Sequence, residues 1–185
     1  VMQAMFAREE GVALDPAALD AAIEEAVQEM VDRQIAAGLD IINDGEMSKP
    51  SYATYIKDRL NGFGGEGGSY VFQDLADFPR AAARVFADAG RSRRTAPACD
   101  APIGVRDMDA PRRDAERLAR IAQGRPTFMS AASPGVTALF FQNQHYPTYD
   151  AYVFAIAEAM RQEYEAIAAQ GIVLQLDCPD LAMGR

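Results

Sequence analysis

Three carboxylates are the chemically informative residues of this 185-residue chain. Asp44 and Glu46 close the run Leu39-Asp40-Ile41-Ile42-Asn43-Asp44-Gly45-Glu46, and Asp177 closes Ile172-Val173-Leu174-Gln175-Leu176-Asp177. In both places a short β-branched run leads straight into an acid, the pattern of a carboxylate at the C-terminal end of a buried strand. Carboxylates so placed can fix a substrate ammonium or act as general acid or base; the same residues also serve as helix N-caps or loop ion pairs. The remaining reactive residues carry less. His145 is the single histidine, so it leaves no Ser-His-Asp triad to assemble, and it reads as a hydrogen-bonded or exposed loop residue. Cys99 and Cys178 are far apart and form no metal-ligand pattern with it; they read as two reduced thiols of a cytoplasmic protein. Gly62-Phe63-Gly64-Gly65-Glu66-Gly67 fits G-x-G-x-x-G by letter. A helix precedes it and Tyr70-Val71-Phe72 follows, which is the wrong order for a pyrophosphate cradle, so it reads as a flexible loop.

The elements that must position these acids follow from periodicity. Asp15-Pro16 starts a helix whose apolar positions Leu19, Ile23, Val27, Met30 and Val31 recur at helical spacing until Gly38. Thr148 or Asp150 starts another, with the stripe Val153, Ile156, Met160, Tyr164 and Ile167, closed by Gly171. Each is followed by one of the acid-tipped runs. Between them the sequence predicts a short helix over Ser51–Leu60, a glycine-rich loop over Asn61–Ser69 and a helix over Leu75–Asp88. After these come a strand over Ala101–Val105, a helix over Pro111–Ala122 with Leu118 and Ile121 inward, and a strand over Thr127–Ala131 ahead of Ser133-Pro134-Gly135. Four strands alternating with helices predict an α/β fold with a parallel sheet. Units of this size close into an eight-strand barrel only at about 250 residues, so residues 1–185 read as a single incomplete barrel domain with an open strand edge.

Composition agrees with a soluble globular domain: 49% hydrophobic, 24% charged, net charge −9. No window nears the roughly 18 apolar residues of a membrane helix, and Val1–Glu10 has no secretory pattern. Residues 1–79 carry 5 basic against 15 acidic side chains, whereas residues 80–125 carry 11 arginines against 6 acids. Acids interleave those arginines and aromatics are sparse, which predicts a solvated helix surface with local ion pairs; the acidic whole opposes nucleic-acid binding.

The motifs together resemble a family. Gly38-Leu-Asp-Ile-Ile-Asn-Asp-Gly-Glu46, then Tyr55 and Arg59-Leu-Asn-Gly-Phe63, is similar to the second half of cobalamin-independent methionine synthase. The likeness is closer to its shorter single-barrel relatives, which include the epoxyalkane–coenzyme M transferases. Ser133-Pro-Gly-Val136 and Gln175-Leu-Asp-Cys-Pro-Asp-Leu-Ala182 extend it over nearly the whole chain. The resemblance implies a (β/α)8 TIM barrel, here partial, that uses zinc to deprotonate a small-molecule thiol so that its sulfur attacks an alkyl carbon. In methionine synthase the thiol is homocysteine and the donor a methylated reduced folate. Glu46 then matches the glutamate that holds the homocysteine amino group, and Asp177 the aspartate that contacts the same amine, with Asp44 beside them in the substrate-binding set. Cys99, with its neighbour Ala98, falls near the folate-contacting segment, and Phe141 aligns with the tryptophan on which a pterin lies.

The departures are equally specific. Cys178 replaces the family's glutamate, Met183 stands at a second folate-contacting glutamate, and Ala98 offers no positive charge. These weigh against a folate donor and are compatible with a relative that alkylates another thiol. The family's zinc ligands and proton-donating histidine fall beyond the equivalent of Arg185, and its first strand ahead of Val1, so the chain alone is expected to lack turnover. Two other readings stay open. Uroporphyrinogen decarboxylase shares the barrel and needs no zinc, but Arg91, Arg93 and Arg94 sit in a loop rather than in a recognised carboxylate-gripping motif. A non-catalytic half barrel that pairs with a second copy through its open edge is the other.

Overall fold

The chain is described from a computed structural model covering residues 1–9, 11–68, 77–85 and 97–183. After α1 (Met2–Glu9) comes α2 (Pro16–Ala36). The Asp15 carboxylate accepts the Ala17 N–H at 3.0 Å and proline occupies the first turn, so the helix starts where the sequence places it. Leu19, Ile23, Val27 and Val31 bury one face, and Gly38 at φ 79° ends the turn in the left-handed region that favours glycine.

The run Leu39–Asn43, expected as a buried strand, pairs through one residue. Ile42 bridges Thr127 in parallel: its N–H donates to the Pro126 carbonyl (3.1 Å) and its own carbonyl accepts from Phe128 (3.0 Å). Ile42 is fully buried, whereas Leu39 and Ile41 are 53% and 54% exposed. The outer edge at Asn43 is taken by a side chain. Gln34 of α2 donates to the Asn43 carbonyl at 2.9 Å and accepts its N–H at 3.0 Å, standing in for a neighbouring strand.

The parallel core of the sheet is β3 (Phe128–Ala132) with β4 (Val173–Asp177), in register from Phe128 opposite Val173 to Ala132 opposite Asp177. Helix α5 (Asp109–Ala122) packs on one side against α2 and on the other against α7 (Tyr149–Ala169). Ile42, Met129, Ala131 and Ile172 point into this layer, together with Leu118, Ile121 and Ile167. Alternation puts Phe128, Ser130, Val173 and Gln175 on the opposite face. Val173, on that face, is 64% exposed, and Leu176, on the helix-facing side, is still 42% exposed, so β4, expected as a buried strand, is an exposed one.

The predicted strand over Ala101–Val105 does not join the parallel set. Only Gly104–Val105 (β2) is a strand, and it pairs antiparallel with Leu60–Asn61 (β1). The parallel arrangement therefore has three members, Ile42, β3 and β4, rather than four. The reason lies at Gly62, where φ is 96° and a Cβ would stand 2.8 Å from the Ala101 carbonyl oxygen. The glycine lets two backbones touch and folds the segment back on α3 (Tyr52–Lys57), which ends before the expected Leu60. The glycine-rich loop is pinned rather than flexible at its start, with Gly65 and Ala98 exchanging both backbone hydrogen bonds. Of the helix expected over Leu75–Asp88, Asp77 and Phe78 precede the helical turn and α4 (Pro79–Val85) is helix; residues 75–76 and 86–88, like Arg91, Arg93 and Arg94, lie outside the described residues. A second apolar cluster joins Ile56, Val136 and Phe141 to Tyr152, Ile156 and Met160 of α7, where Tyr152 rather than Val153 points inward. Short helices α6 (Pro134–Phe140) and α8 (Asp180–Met183) follow β3 and β4. Among the described residues no helix is long and apolar enough to cross a membrane.

Candidate functional site

Two of the predicted carboxylates meet around one hydroxyl. Asn43 accepts the Gly45 N–H on its side chain (2.7 Å) and Asp44 accepts that of Glu46 (3.1 Å), two consecutive Asx-type turns that curl the loop back at the strand end. The curl carries Gly45 and Glu46 into the left-handed region, at φ 61° and 56°. For glutamate that conformation costs about 1–2 kcal/mol. It turns the Glu46 side chain to Tyr52, whose hydroxyl donates to Glu46 Oε1 at 2.7 Å. Asp177, at the tip of β4, acts on the same hydroxyl. Burial first, then the two carboxylates, hold the Tyr52 phenol far above its ordinary range, so it remains a neutral donor. Among the described residues no cation lies in ion-pair contact with Glu46 or Asp177. A groove of about 390 Å³ opens here, lined by Glu46, Lys49, Pro50, Ser51, Tyr52, Ala53 and Phe140.

Asp44 lies beneath this surface, 3% exposed. Burial raises its carboxyl above the usual range, and Lys49 pulls the other way. The Lys49 ammonium, itself buried, donates to the Ser130 carbonyl at 2.6 Å and sits 5.6 Å from the Tyr55 ring. Deeper, Asp114 accepts from Ser48 (2.7 Å), Tyr55 (2.8 Å) and Arg117 (2.7 Å). Arg59 stacks on Tyr55 at 3.7 Å and pairs with Glu163 at 2.6 Å. Three buried cations, Lys49, Arg59 and Arg117, thus face three buried anions, Asp44, Asp114 and Glu163. This floor ties the loop to α3, α5 and α7.

Cys99 and Phe141 are placed elsewhere. Both have no exposed surface; Phe141 packs on Phe63 with ring centroids 4.5 Å apart, and the Cys99 thiol, its titration pushed up by burial, faces the Ala101 carbonyl. Cys178 is half-buried at the end of β4, and His145 lies edge-on to Tyr146 in an exposed loop. A larger cleft, about 560 Å³, opens at the first turns of α2 and α5 and includes neither Glu46 nor Asp177. The Ser133-Pro134-Gly135 motif has a structural use. Ser133 donates to Asp180 at 2.7 Å, and a Cβ on Gly135 would collide with the same carboxylate.

Sequence reasoning missed Tyr52, Lys49 and the ionic floor. Part of the floor carries a signal. Glu163 falls on the stripe Ile156, Met160, Ile167, and Asp114 and Arg117 fall on that of Leu118 and Ile121, so each is a charge on an inward face. Tyr52 carries none, because only the folded loop brings Glu46 and Asp177 to it.

No family model matches the sequence, and no curated protein does. Among solved structures the chain is similar to a B12-independent methionine synthase from Shewanella sp. W3-18-1, solved in complex with selenomethionine. The TM-score is 0.70 at 20% identity, over 90% of this chain and 44% of that one, so the chain spans less than half the length of the protein it matches. At that identity the likeness is one of fold: the described residues have a methionine-synthase-like, partial α/β fold.

Proposed function

We propose that this chain forms part of a (β/α)8 barrel of thiol-alkyltransferase type, and that its share of the work is to hold the amine end of an acceptor thiol between Glu46 and Asp177. One observation carries the reading: two carboxylates at strand ends act on one neutral hydroxyl, with no cation in ion-pair contact with either among the described residues. Glu46 is half-buried and Asp177 exposed; anions without an ion-pair partner favour a cationic ligand, and a charge-assisted hydrogen bond to an ammonium contributes about 1.5–3 kcal/mol. The acceptor is a small aminothiol of the homocysteine class, as the resemblance implies. Zinc, the family's thiol activator, finds no set of three His, Cys, Asp or Glu ligands among the described residues, so the groups present do not fit it and no step is assigned to it here. Asp44 supports the loop from below rather than meeting the ligand, and Cys99 and Phe141 have no part in the reading.

Titration of L-homocysteine into the chain, followed by NMR, tests this. Glu46→Gln and Asp177→Asn should each weaken binding roughly tenfold or more, by the loss of one charged acceptor. Unchanged affinity in both variants would reject the reading. A second reading has its own observation. Val173 and Leu176 leave β4 with an exposed apolar edge, which favours pairing with a second copy; sedimentation showing a monomer at 100 μM would reject it.

A further inference from the structure

We propose that Tyr52 is a specificity-determining residue of this site, which selects a primary ammonium by adding a third acceptor to those of Glu46 and Asp177. The inference rests on the reading of these two acids as an amine grip. A primary ammonium carries three N–H donors in a tetrahedral fan. Glu46 and Asp177 offer one carboxylate acceptor each on two different elements, a loop after Ile42 and the tip of β4. The Tyr52 hydroxyl is bonded to Glu46 and lies within electrostatic reach of Asp177. It spends its single proton on Glu46 Oε1 at 2.7 Å, which leaves the oxygen lone pairs free to accept, and Tyr52 and Glu46 line one groove. A hydroxyl that has given its proton to a carboxylate is a stronger acceptor than a free one, because the bonds polarise each other. The phenol is held neutral by burial first and then by the two acids, so the Tyr52 hydroxyl keeps its proton to donate. Tyr52 also fixes the Glu46 rotamer, and with it the distance between the two acids. An N-methylated amine has one donor fewer and a methyl group where the third acceptor stands. It should be discriminated against at Tyr52 and nowhere else.

The test compares L-homocysteine with N-methyl-L-homocysteine on the 185-residue chain, on Tyr52→Phe and on Glu46→Gln, with melting temperatures recorded for all three. The unmodified chain should favour the primary amine about tenfold. Tyr52→Phe should lose that preference, mainly by weaker binding of L-homocysteine, while Glu46→Gln should weaken both ligands. A Tyr52→Phe variant that keeps the tenfold preference overturns the inference while leaving the amine grip standing. Equal weakening of both ligands in Tyr52→Phe also overturns it, since that is what loss of Glu46 positioning alone would give. If the unmodified chain binds neither amine, the reading of the two acids fails and the inference with it. Should Tyr52→Phe fail to fold, the unmodified chain labelled with 13C at the tyrosine Cζ decides. Its Tyr52 resonance should move on adding L-homocysteine and stay fixed with 4-mercaptobutyrate, and a response to both or to neither overturns the inference.

Discussion

Replacing Glu163 by Leu removes one half of an ion pair in which both side chains are 4% exposed. The Arg59 guanidinium would keep its bond to the Tyr55 carbonyl (2.6 Å) and its place on the Tyr55 ring, but would lose the anion paired with it among the described residues. An uncompensated buried charge of this kind costs about 3–5 kcal/mol. For a chain of this size each kcal/mol lowers the melting temperature by roughly 2–4 °C, so a fall of about 10 °C is expected. Arg59→Met should cost at least as much. It strips the buried pair from the other side, leaves the Tyr55 carbonyl without that donor (about 1–3 kcal/mol) and removes a desolvated cation–π contact (about 2 kcal/mol). The double variant is the informative one. With both charges gone, two apolar side chains fill the site, and pairs so replaced range from neutral to more stable. Only the carbonyl and the ring contact stay lost, about 3–5 kcal/mol together, so the double should cost less than Arg59→Met alone and well below the sum of the two singles. Urea unfolding followed by circular dichroism, with the m-value checked for constancy, gives the cycle. Single-variant costs that add within about 0.5 kcal/mol would refute the argument that Arg59 and Glu163 act as one buried unit.

Asp44→Asn should change the pH dependence of stability in a defined direction. Burial raises the folded-state pKa above the 3.8 of the unfolded chain, so ionising Asp44 opposes folding. The wild type should lose stability relative to Asp44→Asn as pH rises through that window, and the reverse trend in denaturation at pH 4 and pH 7 would contradict it. Gly62→Ala should cost roughly 2 kcal/mol or more, since φ is 96° and the added Cβ would press on the Ala101 and Pro102 carbonyl oxygens; a melting temperature within 2 °C of wild type would refute the close approach. Glu46→Gly relieves a left-handed backbone worth about 1–2 kcal/mol while deleting one hydrogen bond worth about 1 kcal/mol. It should match or exceed the wild type in stability and lose amine binding, and a clear destabilisation in urea would show that the turn is not strained.

The helices were legible because their signals are local. Asp15-Pro16, Ser133-Pro134 and Thr148 each cap the helix they precede, and the stripes of α2 and α7 bury largely as their spacing requires. The strands were less so, because an apolar run states only that a segment is to be covered, not that a neighbour is present to cover it. Leu39, Ile41 and Val173 are apolar and exposed for this reason. The segment Ala101–Val105 was misassigned to the parallel sheet because Gly62, forty residues away, decides its partner. Glu46 and Asp177 were found as strand-end acids. Their meeting through Tyr52 is a property of the fold, and no spacing in the sequence announces it.

The site combines features that each oppose stability. Glu46 occupies a conformation that glutamate disfavours, and Asp44 is buried at the expense of its ionisation. Two carboxylates act on a hydroxyl that has one proton, which Glu46 takes. A loop that served only to join β-strand to helix would relax all three by a glycine at 46 and a neutral side chain at 44. What holds the arrangement is the balanced ionic floor, in which Lys49 fastens the loop to Ser130 of β3 and Asp114 gathers Ser48, Tyr55 and Arg117 from three elements. Such a floor adds little net stability over an apolar one, because the desolvation of six charges nearly cancels their attraction. It does add direction, since each bond fixes an atom rather than an area. The rigid floor and the strained turn above it together fix where Glu46 points, and that orientation matters only if a ligand reads it.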